Sequence, residues 1–177
     1  VRMTVRTSCL SVTLRVHEEY ARSGFGEDAT VRSALELASQ VLMRDTLRDM
    51  DLTDWIEGYR RAWEAGDAEL VLRLFTEDAS YRSNPFEEPH VGHDGIRAYW
   101  EGVTSQQRDA RVSMGRPFVD GDRVAVEWWT TMVSEGEGVT LPGCLLLRFG
   151  PDGRCNDLRE YWNVTAGFSE PFAGWGT

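Results

Sequence analysis

The sequence predicts an α+β domain in which helices come first and an antiparallel sheet follows. Two observations carry this. Between Thr53 and Gln107 apolar residues recur at helical spacing, and after Asp109 the period changes from 3.6 to 2. Along the second half, turn residues recur at short intervals, at Asp120-Gly121-Asp122, Glu135 to Gly138 and Pro151-Asp152-Gly153, as in a meander of hairpins. Three helices and one short strand ahead of such a sheet make a scaffold for a pocket rather than a bundle.

Residues 1–49 form an extension. Ser11 to Val16 alternates, Gly24-Phe25-Gly26 interrupts, and Val31, Leu35, Ala38, Leu42 and Met43 mark one face of a helix from about Asp28 to Arg48. Two readings of it stay open. One is an added helix that packs on the domain or on a partner. The other is a weakly folded stretch, or an early start assignment ahead of Met50. The domain itself spans 50–166. Thr53 or Asp54 can cap a first helix with the apolar face Trp55, Ile56, Tyr59, Ala62 and Trp63. Gly66 ends it, and Asp67 caps a second helix that carries Leu70, Val71, Leu74 and Phe75 and ends near Thr76. Ala79 to Arg82 reads as a short strand, and a third helix runs from about Asp94 to Gln107 with His93 or Asp94 at its cap. Strands follow over Arg111–Val119, Arg123–Val133, Thr140–Phe149 and Arg154–Val164. The tail from Gly167 is expected to be mobile, with Pro171, Gly174 and Gly176 in it.

Composition narrows the function classes. At 177 residues, 41% hydrophobic and 27% charged, the chain has the make-up of an ordinary globular protein. No apolar run reaches the roughly 18 residues of a membrane span, and Cys9 to Leu14 is too short and polar for a signal peptide core. The expectation is a cytoplasmic protein. Cys9, Cys144 and Cys155 are odd in number and far apart, as reduced thiols are. All nineteen cationic residues are Arg, a bias of the kind that GC-rich coding produces. Residues 1–49 hold seven Arg and seven acids, so the whole net charge of −10 falls on residues 50–177. Such a domain disfavours nucleic acid and anionic membranes as partners.

Four pieces in order, Tyr59-x-x-Ala62-x-x-Ala65-Gly66-Asp67, Leu74-Phe75-x-x-Asp78-Ala79, Asn84-Pro85-Phe86 with Gly92-x-x-Gly95-Ile96, and Arg148-Phe149-x-x-Asp152-Gly153, resemble the nuclear transport factor 2-like superfamily and, within it, the SnoaL-like group. The resemblance covers about residues 53–165. It implies a cone-shaped domain, with a strongly bent antiparallel sheet wrapped around three helices and an apolar pocket in its mouth. It also implies a homodimer through the outer sheet face. The family holds ketosteroid isomerases, polyketide cyclases, epoxide hydrolases, dehydratases and non-catalytic proteins, so function has to be read from the site.

The isomerase pattern of the family uses a carboxylate base beside a Pro-Phe-like turn, a Tyr on the first helix and a protonated Asp on the penultimate strand. Carried onto this sequence, the Tyr is Tyr59, the base position falls on Asn84 or Ser83, and the second Asp becomes Leu145. Two of three functional groups are missing. Replacement carboxylates are sought on the strands. The family register puts Ala125, Glu127, Trp129 and Thr131 toward the pocket, and on the last strand Leu158, Glu160 and Trp162 share the corresponding face. Glu127 and Glu160 are therefore the candidate acid/base pair, with Tyr59 steadying an oxyanion. Their structural alternative is an ion pair with Arg97, Arg148 or Arg159, or that one of the two faces solvent. Asn84 and His90 are candidates to orient a substrate, and Trp63, Trp100, Trp129, Leu145 and Trp162 to line the pocket. His90, His93 and Asp94 are too loosely spaced for a metal site, and no cofactor motif occurs. The leading expectation is a pocket for a small apolar organic ligand, acting as a cofactor-free isomerase, cyclase or dehydratase on a carbonyl-containing or polycyclic substrate. The alternative is a binding or interaction module of the same fold.

Overall fold

The computed structural model describes residues 52–177, so the helix and the alternating segment expected in residues 1–49 lie outside the described residues. Helix α1 covers 52–65 and buries Trp55, Tyr59 and Ala62, one face at helical spacing. Its end is a two-bond cap. Gly66, at φ +63°, donates its N–H to Trp63 O at 3.0 Å, and Asp67 donates to Ala62 O at 3.0 Å. Only a left-handed residue at position 66 lets both bonds form. The Asp67 side chain then accepts from Leu70 N and starts helix α2, Ala68–Leu72.

Helix α2 stops short of the expected Thr76. Phe75 belongs instead to strand β1, Phe75–Arg82, where it is fully buried and packs edge-on to Trp55. The Leu74 carbonyl accepts from both Trp55 Nε1 (2.8 Å) and Cys155 N (2.9 Å), and those tertiary bonds displace a further helical turn. After the 83–89 turn come β2 (His90–Val91) and α3 (Gly92–Thr104), the latter burying Ile96 and Trp100. Its cap position is Val91, with no side-chain cap bond, so neither His93 nor Asp94 caps it. His93 Nε2 lies 3.2 Å from Phe75 O, and Asp94 pairs with Arg97.

The remaining strands are β3 (Gln107–Met114), β4 (Phe118–Asp120), β5 (Arg123–Ser134), β6 (Glu137–Phe149), β7 (Cys155–Trp162) and β8 (Thr165–Ala166). The one strand expected over Arg111–Val119 is thus two, divided at Gly115-Arg116-Pro117, where Pro117 has no N–H for a ladder. Sheet order is β2-β1-β7-β6-β5-β3, with β4 also on β5 and β8 on β6. All pairings are antiparallel except β1 with β7, which runs parallel and places Tyr81 beside Leu158. This is the curved α+β sheet with few helices that the sequence predicts, and its concave face holds the core.

Strand β5 shows which face is inside. Val124, Val126, Trp128, Thr130 and Met132 are buried, whereas Ala125, Glu127, Trp129 and Thr131 are only partly so. The Glu127 set faces outward, opposite to the expectation. Seating the Trp128 indole inward requires Gly143 across the ladder, because a Cβ there would lie 2.4 Å from the ring. The tail, expected to be mobile, lies on the outer face. Gly167 N bonds Gly138 O, Ser169 N bonds Thr140 Oγ1, and Gly176 bonds Arg116 and Glu127.

Candidate functional site

The concave face brings together one carboxyl and five aromatic rings. Tyr59 reaches in from α1, Tyr81 from β1, Tyr99 and Trp100 from α3, and Glu160 from β7; with Trp63, Val103, Thr104 and Gln107 they line a cavity of about 40 Å³. Alternation explains the two key strand residues. Ala79 and Tyr81 point inward on β1, as Leu158 and Glu160 do on β7. Trp63, Thr104 and Gln107 also border an outer hollow of about 360 Å³, which contains Glu64, Glu101, Arg108 and Asp109. The bond from Trp63 Nε1 to Gln107 Oε1, 3.0 Å, joins two of the residues that separate cavity from hollow.

Glu160 is 5% exposed, and no arginine among the described residues pairs with it. The three arginines proposed as structural partners are engaged elsewhere: Arg97 with Glu69 and Asp94, Arg148 with Asp122, and Arg159 with Asp157. Its Oε1 instead accepts from Tyr59 Oη at 2.8 Å and from Tyr81 Oη at 2.6 Å, while the two phenol oxygens lie 2.7 Å apart. Burial pushes the carboxyl up to about 7, against the downward pull of the two phenol hydrogen bonds. The ionised carboxylate accepts from both phenols, and a protonated Glu160 would donate to one and accept from the other, so both phenol protons stay inside the triangle in either state. Burial and the carboxylate raise both phenols well above the ordinary tyrosine value, so they act as donors rather than as bases.

The other sequence-predicted site residues divide. Glu160, Tyr59, Trp63 and Trp100 are in the cavity wall. Glu127 is not: it lies on the outer face, where its Oε2 accepts from Gly176 N at 3.3 Å. Trp129 shares that face, donating to Ser169 O and meeting Trp175 edge-on. Trp162, 47% exposed at the end of β7, donates to Ser83 O and borders an outer hollow with Glu127 and Trp129 rather than the cavity. Leu145 is fully buried opposite Glu160 in the ladder, a core residue outside the cavity wall. Asn84 is consumed by its own turn, accepting from Phe86 N and donating to Glu87. His90 stacks on Tyr99 at 4.4 Å and contacts Ser83 at 3.3 Å, behind the wall rather than in it; burial lowers its basicity. Tyr81 and Tyr99 were missed. The inward alternation of Ala79 and Tyr81 is the signal that marks the first, and the i to i+3 step from Ile96 marks the second. Among the described residues, no three His, Cys, Asp or Glu side chains are arranged to hold a metal ion, and no helix is long and apolar enough to cross a membrane.

Comparison with known proteins fits this geometry. The model of the SnoaL-like domain family matches residues 56–158. Among solved structures, the chain is similar to SalBIII, an epoxide hydrolase/cyclase-like enzyme described in pyran ring formation in the polyether salinomycin, at 17% identity and TM-score 0.59 over 70% of this chain and 98% of that one. It is similar to Δ5-3-ketosteroid isomerase from Mycobacterium sp. at 21% identity and TM-score 0.58, over 66% of this chain and 98% of that one. A third is a hypothetical protein of ketosteroid isomerase-like fold from Catenulispora acidiphila in complex with trimethylamine, at 17% identity and TM-score 0.56, over 60% and 83%. No curated protein sequence matches.

Proposed function

The chain belongs to the SnoaL-like domain family, and from that premise we propose that it is a cofactor-independent acid/base enzyme, an isomerase, cyclase or dehydratase, in which Glu160 carries the proton. The observation that supports this is a buried carboxyl with no cationic partner among the described residues, balanced near neutral pH inside an aromatic cavity. A group with that balance gives and takes a proton with comparable ease, which a one-base proton shift needs. In the isomerase form, Glu160 takes a proton from the carbon beside a carbonyl. The C–H electron pair becomes a C=C bond, the C=O pair moves onto oxygen, and the proton returns at a different carbon as the carbonyl re-forms. Tyr59 and Tyr81 fix the carboxyl orientation and temper its basicity through their hydrogen bonds.

The cavity of about 40 Å³ is smaller than a benzene-sized ligand needs, on the order of 150 Å³. A ring-bearing substrate enters by displacement of Trp63 and Gln107, whose hydrogen bond separates cavity from outer hollow. The experiment is deuterium uptake from D2O into cyclopentanone and cyclohex-3-enone, followed by mass spectrometry. Wild type should exchange with a pH midpoint near 7, and Glu160→Gln should fall to the uncatalysed rate. Binding of both ketones without exchange by wild type would move the protein to the second reading, a non-catalytic ligand-binding module, which the replacement of both isomerase-pattern carboxylates by Asn84 or Ser83 and Leu145 supports. We extend the proposal to a cytoplasmic homodimer associating through outer-face aromatics such as Tyr161, 47% exposed, and Phe118, 64% exposed; sedimentation of the full chain tests the dimer.

A further inference from the structure

Resting on the acid/base reading of Glu160, we propose that the indole N–H of Trp100 is the donor that receives an oxygen of the ligand, and that the cavity takes a small neutral molecule with an acceptor oxygen in preference to an amine. The argument is an inventory of the cavity wall. Tyr59 and Tyr81 spend their protons inside the triangle with Glu160, whether or not the carboxyl is protonated. Trp63 donates to Gln107 Oε1, Thr104 donates to Trp100 O at 2.7 Å, and Tyr99 accepts from Ser83. The Gln107 amide and the Tyr99 hydroxyl belong to half-buried side chains at the edge of the wall, whereas Trp100 Nε1 is a fully buried donor. Trp100 is 3% exposed, it lines the cavity, and its N–H has no partner among the described residues. An unmet buried donor costs about 1–3 kcal/mol, which an acceptor in the cavity would recover.

The same inventory separates ligand classes. Five aromatic rings and a carboxyl would welcome an organic cation, but a cation leaves the Trp100 donor unmet and places positive charge near it. A ketone meets both groups. Its oxygen accepts from Trp100, and the carbon next to the carbonyl is presented to Glu160. When the proton leaves that carbon, negative charge gathers on the oxygen that Trp100 holds, and the hydrogen bond strengthens as the barrier is crossed. Trp100 thereby takes the oxyanion role that the family resemblance gives to Tyr59.

The test uses full-length protein labelled with ¹⁵N at the indole nitrogens, with the Trp100 resonance assigned by its loss in Trp100→Phe. Titration with cyclopentanone should move the Trp100 indole proton downfield, and trimethylammonium chloride should leave it in place. Trp100→Phe should bind cyclopentanone about tenfold more weakly, the equivalent of one neutral hydrogen bond. A ketone that shifts Trp63 but not Trp100, no shift of any indole at saturating ketone, or tighter binding of trimethylammonium than of cyclopentanone overturns the proposal. Glu160→Gln should lose exchange and retain the Trp100 shift, so loss of exchange chemistry and loss of this contact are read separately.

Discussion

The Glu160 carboxyl has exchanged its hydration shell for two phenol hydrogen bonds, and its ionised form is the less stable for it. With the folded value near 7 against an ordinary 4.5, the folded chain binds this proton more tightly than the unfolded chain does. The penalty is absent below about pH 4.5, grows between 4.5 and 7, and is complete above, on the order of 3 kcal/mol. Glu160→Gln should therefore be more stable than wild type by that order at pH 8 and little different at pH 4, measured by urea denaturation at each pH. Tyr81→Phe removes a hydrogen bond that favours the carboxylate, so the Glu160 midpoint should move to higher pH, read by ¹³C NMR of the carboxyl carbon. At this scale the sequence was informative about identity and less so about orientation. Glu160 and Tyr59 were legible as candidates because both fall on inward positions of regular elements. Glu127 departs from the family register because the local pattern decides the face: Val124, Val126, Trp128 and Met132 are the more apolar side of β5.

Elements were legible wherever a local rule decided them. The Gly66–Asp67 junction is an example: a left-handed cap residue and an N-cap residue in succession leave one arrangement. Asp67→Ala should cost about 1 kcal/mol in thermal or chemical unfolding, the usual worth of such a cap. The end of α2 was not legible, because Phe75 suits a helix by spacing and is drawn into β1 by Trp55 and by the carbonyl of Leu74, partners far along the chain. Gly143 is likewise decided by a partner on another strand, the Trp128 indole. Gly143→Ala would drive a Cβ into the Trp128 ring and within 2.9 Å of Tyr161 O, and a rigid indole beside backbone has little room to retreat. We expect a loss of about 2–3 kcal/mol, visible as a lowered melting temperature.

Across the whole molecule, the two sheet faces have different tasks. The concave face holds Glu160 and its rings, and the convex face carries Glu127, Trp129 and Cys144 beside a hollow of about 340 Å³ partly walled by Phe172 and Trp175 of the tail. Removing residues 167–177 should make Cys144 react faster with a thiol reagent, in a Cys9→Ser background, and leave the fully buried Cys155 slow. The parallel pairing of β1 with β7 has a further consequence, in the order of events during synthesis. Tyr59 and Tyr81 meet a carboxyl 101 and 79 residues later in the chain, and β1 has no neighbour on that side until β7 exists. A nascent chain that ends before Cys155 has made nearly every group of the cavity and can assemble none of its chemistry. The domain must wait for its last long strand, and a ribosome that has just added β7 has still to extrude it before the triangle of oxygens can close.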